Sequence, residues 1–166
     1  MKRVAWILLL LPALACFVEE PQKVVRQDLG YSAVFPGTPR SARYNESTPF
    51  GEIEWFNTSY SSTNRFDQTC SVEVGTLPAG NQGGSNQEEI LRTLREWITW
   101  RYPGSITELN RGRGPGFEYT SKGSKENVIK GIIVLRRGRL HHARGATSDP
   151  TDTGFTNFLR SFEVDP

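Results

Sequence analysis

The stretch Asn127-Val-Ile-Lys-Gly-Ile-Ile-Val-Leu-Arg136, continued by Arg137-Gly138 and Arg139-Leu-His-His-Ala-Arg-Gly-Ala146, decides the fold. Val128, Ile129, Ile132, Ile133, Val134 and Leu135 leave no polar face, which is the pattern of a central strand covered on both sides. Arg137-Gly138 reads as a hairpin turn into a second strand over residues 140–146.

Two amphipathic helices are available to cover such a sheet. Ile90, Leu91, Leu94, Trp97, Ile98 and Arg101 form one stripe at helical spacing, opened by a Ser85-x-x-Glu88 capping box and stopped by Pro103-Gly104. Asp149-Pro150 starts a last helix, with Asp149 as N-cap and Phe155, Phe158, Leu159 and Phe162 on its inner face. The remaining segments read as short strands: residues 29–35, an edge-like strand over 40–47, an antiparallel pair over 52–61 and 65–77, and strands over 106–110 and 117–121. In residues 66–74 the even positions Phe66, Cys70, Val72 and Val74 are mostly apolar, while Asp67, Thr69, Ser71 and Glu73 form a polar face. Cys70 is therefore expected to point inward as an inert thiol.

At 166 residues, 36% of them hydrophobic, the chain is sized for one globular domain. Residues 1–15 have the parts of an export signal: Lys2 and Arg3, an apolar run from Val4 to Leu11, and the small residues Ala13 and Ala15 before Cys16. The apolar run is too short to span a bilayer, which takes roughly 20 residues. Ala13-Leu14-Ala15 suits ordinary secretion, and Leu14-Ala15-Cys16 resembles a bacterial lipobox. Under the second reading Cys16 carries the lipid anchor, residues 16–27 form a polar tether, and residues 28–166 form the domain. Phe17 then favours an outer-membrane location. Under the first, the protein is periplasmic or secreted, and Cys16 is free to pair with Cys70.

Without Lys2 and Arg3, 18 basic residues balance 18 acidic ones, which argues against nucleic-acid binding. The distribution is uneven, however. Residues 111–144 hold nine Lys or Arg against Glu118 and Glu126 alone. Arg111, Arg113, Arg136, Arg137, Arg139 and Arg144 are candidates for a surface that binds an anionic ligand or an acidic envelope protein. The alternative is a solvated sheet edge whose charge discourages strand-to-strand association. His141 and His142 are adjacent on a strand, so they point to opposite faces and cannot chelate one metal together. No nucleophile motif accompanies them. The expectation is a non-enzymatic protein with neither metal nor cofactor.

Several segments together carry a family resemblance. They are Gly30-Tyr-Ser-Ala-Val-Phe-Pro-Gly-Thr-Pro39, Thr48-Pro-Phe-Gly51, Gly116-Phe-Glu-Tyr119, Val134-Leu-Arg-Arg-Gly-Arg-Leu140 and Asn157-Phe-Leu-Arg-Ser-Phe162. In this order they resemble the bacterial PsbP-like proteins, relatives in fold of the photosystem II extrinsic subunit PsbP and the Ran-binding Mog-type proteins. Where that family often has Arg-Leu-Tyr, this chain has Arg139-Leu140-His141. The resemblance covers about residues 28–164 and implies an α+β fold: an α/β/α sandwich around a twisted, mainly antiparallel sheet, with protein binding rather than catalysis as its use. It transfers no ligand residues.

Overall fold

The computed structural model describes residues 19–62, 68–81, 86–109, 114–123 and 126–166. The export signal, Cys16, Ser85, Arg111 and Arg113 lie outside these residues, as do Phe66 and Asp67.

The dense apolar run forms β8 (Val128–Arg136), paired along its whole length with β9 (Arg139–Thr147). Arg137 and Gly138 both have positive φ, 50° and 73°, the geometry of a two-residue type I′ turn. Gly131 to Leu135 are buried without interruption. Ile132 and Val134 enter one core while Ile133 and Leu135 enter another, so the strand is covered on both faces. The middle of the sheet, however, falls on β9. The seven strands lie in the order β3 (Arg40–Thr48), β4 (Gly51–Ser61), β5 (Thr69–Thr76), β9, β8, β7 (Gly116–Lys122), β6 (Gly104–Glu108). A smaller sheet joins β1 (Gln22–Arg26), β2 (Tyr31–Phe35) and β10 (Glu163–Val164). Every pairing among the described residues is antiparallel. The protein is thus a mixed sheet-and-helix fold, mostly antiparallel.

Following those pairings across the sheet, β5 and β6 run in the same direction from well-separated positions. Their connection must cross one face, and α1 (Gln87–Arg101) makes that crossing. Ile90, Leu94 and Ile98 of α1 pack with Ile53, Trp55, Phe117, Ile133 and Leu135. On the opposite face, α2 (Thr153–Ser161) and the small sheet enclose Cys70, Val72, Ile132 and Val134 with Tyr31, Phe35, Phe158 and Phe162. Cys70 is fully buried there, and that burial pushes its thiol pKa well up, which leaves it protonated and inert.

Three local expectations need correction. Residues 22–26, assigned to a tether, form β1, because β2 would otherwise present an open edge; the Leu29 and Gly30 N–H groups both donate to Arg26 O and close the turn between the strands. The N-cap of α2 is Asp152, three residues later than expected. Its carboxylate accepts from Gly154 and Phe155 N–H, while Asp149 instead accepts from Thr151 in the preceding turn. Position 86 is the N-cap of α1, and the Asn86 side chain makes no capping bond. Glu88 is therefore the second helical residue rather than the third, one place off from what a capping box requires.

Candidate functional site

The β8–β9 turn brings the late arginines to one end of the sheet. Arg136 and Arg139 face each other in the last register pair, and Arg137 occupies the turn. Against this end pack the β1–β2 turn and the tail following β10. Arg139 Nη1 donates to Asp28 O at 2.9 Å, Asp165 N–H donates to Gly30 O at 3.0 Å, and Leu77 N–H donates to Gly138 O at 2.9 Å. Between them lies an open cavity of about 300 Å³, with Arg136, Arg137, Arg139, His141 and Asp165 on its walls.

His141 is buried at this wall, and its Nε2 lies 3.0 Å from Leu29 O. Burial lowers its pKa, so the ring is neutral at pH 7. A carbonyl can only accept, which assigns the proton to Nε2 and leaves Nδ1 as an acceptor with no hydrogen-bond partner.

Ion pairing differs among the arginines. Arg26, Arg43, Arg92, Arg95, Arg101 and Arg144 each pair with a carboxylate. Among the described residues, Arg136, Arg137 and Arg139 pair with none, nor does Arg40 on the edge strand β3, but only the first three share one cavity.

Of the six arginines named from the sequence, these three therefore converge. Arg111 and Arg113 fall outside the described residues. Arg144 does not belong with the others: it projects from the opposite face of β9 to Arg139 and is bound there by a group of buried side chains that the sequence did not reveal.

That group centres on Glu73. Its carboxylate lies 3.2 Å from His142 Nδ1 and 3.4 Å from Arg144 Nη2, and Arg144 Nη1 also donates to Tyr102 OH. Tyr119 OH lies 2.8 Å from His142 Nε2. Burial alone would raise the Glu73 carboxyl, but the His142 hydrogen bond and the neighbouring positive charge outweigh it and hold the group well below the ordinary carboxylate range. Burial lowers the His142 pKa and raises that of Tyr119. The consistent assignment is a neutral imidazole that donates from Nδ1 to Glu73 and accepts the Tyr119 O–H at Nε2. Gly131 permits this placement of Tyr119, since a Cβ on Gly131 would lie 2.3 Å from the phenol ring. The space enclosed beside the cluster is about 10 Å³, enough for roughly one water. The polar face of β5, with Ser71 and Glu73, is buried because α1 lies across it. His141 and His142 do point to opposite faces, as strand geometry requires.

A second open cavity, about 260 Å³, lies between α2 and β7–β8; its Glu118, Lys130 and Arg160 are of mixed sign. Among the described residues no three His, Cys, Asp or Glu side chains gather as a metal site, and no helix is long and apolar enough to cross a membrane. No family model, curated protein or solved structure matches the chain.

Proposed function

We propose that this chain is a lipid-anchored, non-enzymatic interaction module of the cell envelope, engaging an anionic partner through the end of the sheet where the β8–β9 turn lies. The observation that carries this reading is the convergence of Arg136, Arg137 and Arg139 on one open cavity, with no ion pairs to carboxylates among the described residues. Three arginines beside the single Asp165 leave an excess of positive charge, and an acidic partner relieves their mutual repulsion while gaining electrostatic steering. In support of a non-enzymatic role, the Glu73–His142–Tyr119 chain lies beneath α1 with room for about one water.

The domain is read as a PsbP-like α/β/α sandwich. The packing of α1 and α2 into separate cores on opposite faces of the larger sheet supports this. Anchoring rests on Leu14-Ala15-Cys16 behind the short apolar run, and Phe17 favours the outer membrane. The test is a pull-down from envelope membranes with the mature protein and an R136S/R137S/R139S variant. The expected result is a partner that the variant loses and that salt releases from the wild type. A partner held equally by both proteins would overturn the reading.

A further inference from the structure

Resting on the reading of this cavity as an anion-binding surface, we propose that it is a phosphomonoester site. Three arginines line one cavity, which suits an oxyanion, and their planar guanidinium forks match the geometry of phosphate oxygens better than point charges do. The same cavity also carries an acceptor, the Asp165 carboxylate. A fully ionised sulfate or carboxylate would set only lone pairs against it. A phosphomonoester, or inorganic phosphate, can hold one proton near neutral pH. It therefore offers P–O⁻ oxygens to Arg136, Arg137 and Arg139 and a P–O–H to an acceptor opposite.

The volume of about 300 Å³ stands at the lower end of small-molecule sites, suited to a phosphorylated head group or a small phosphorylated compound rather than to a polymer. The walls come from three separate parts of the chain, and Arg139 is fixed by its bond to Asp28 O. The positioning is thus built into the fold rather than left to flexible side chains alone.

The experiment titrates inorganic phosphate and then sulfate into the mature protein, followed by calorimetry or amide chemical shifts. Phosphate is expected to bind at least tenfold more tightly than sulfate, and R136Q/R137N to weaken phosphate at least tenfold. Neither substitution touches the Arg139–Asp28 bond, and asparagine suits the positive φ of position 137, so this variant is expected to fold with an unchanged Tm. Two further arms separate the sources of the group: vesicles containing phosphatidic acid, compared with phosphatidylglycerol, and free glycerol 3-phosphate. Preference for phosphatidic acid vesicles assigns the group to a lipid, and tighter binding of glycerol 3-phosphate assigns it to a soluble compound. Either supports the class. Equal binding of phosphate and sulfate, or phosphate affinity unchanged in R136Q/R137N, would overturn it. If phosphate does not bind while R136S/R137S/R139S still loses its envelope partner, the phosphomonoester inference falls and the broader anionic-partner reading stands.

Discussion

Replacing Glu73 with Gln is the most informative perturbation of the buried polar cluster, because it keeps the shape and removes the charge. The Glu73 side chain is 9% exposed and that of Arg144 30%. Removing one partner of a fully buried ion pair costs about 3–5 kcal/mol, because the other charge is left uncompensated. Arg144 keeps some contact with water and with Tyr102, which brings the expectation down to about 2–3 kcal/mol. For a chain near this size, about 2–4 °C per kcal/mol translates this into a Tm lowered by roughly 5–10 °C at pH 7. Urea unfolding should show a lower midpoint with an unchanged slope. The sign with pH is also fixed. The Glu73 pKa is lower in the folded protein than in the unfolded chain, so its stabilisation is complete above the ordinary value of 4.5 and is lost as pH falls below it. The E73Q penalty must therefore shrink in acid. A penalty under 0.5 kcal/mol at pH 7, or one that grows between pH 5 and pH 3, would refute this account of the cluster.

Three other outcomes follow from the same geometry. Burial lowers the pKa of both His141 and His142, so below pH 6.5 the unfolded chain takes up protons that the folded one resists; stability should fall with pH, by up to about 1.4 kcal/mol per unit for each ring, as followed by urea midpoints from pH 7 to pH 5. G131A places a methyl group 2.3 Å from the Tyr119 ring and should cost about 1–3 kcal/mol by overpacking, with the loss read as a lower Tm and a shifted His142 imidazole resonance. Cys16→Ser should release the exported protein from membranes into the soluble fraction, and a variant that still sediments with membranes would refute the anchor.

Much of the architecture is legible in the sequence because the signal is local. Six apolar side chains in residues 128–135 leave no polar face, and Arg137-Gly138 supplies the turn. The stripe of α1 and the Phe155, Phe158 and Phe162 series are equally explicit, and Ile90, Leu94, Ile98, Phe155, Phe158 and Phe162 are all buried. Strand β1 is not legible, because Gln22–Arg26 is largely exposed and owes its form to pairing with β2 rather than to a core face of its own. Nor is the Glu73 cluster: alternation along β5 identifies a polar face, but whether that face meets water depends on where α1 crosses, which is a tertiary matter. Among the arginines, spacing from the turn separates the groups. Arg136, Arg137 and Arg139 belong to the turn and the register pair beside it, whereas Arg144 lies farther along β9 and on its other face, where it pairs directly with Glu73, the residue opposite His142.

The central claim, that the arginines of the β8–β9 turn form the binding surface, is tested most directly by salt elution of the mature protein from phosphocellulose, which presents phosphomonoester groups. Without Lys2 and Arg3, 18 basic residues balance 18 acidic ones and leave no net charge to hold the protein there, so retention requires segregated charge. Screening over about 8 Å at physiological salt should release it. The R136S/R137S/R139S variant must be compared with R40S/R43S/R92S, which removes three exposed arginines elsewhere and has the same net charge. The account predicts that the wild type and the second variant are retained at low salt and elute at similar salt, while the first variant flows through. Equal elution of the two variants would contradict it.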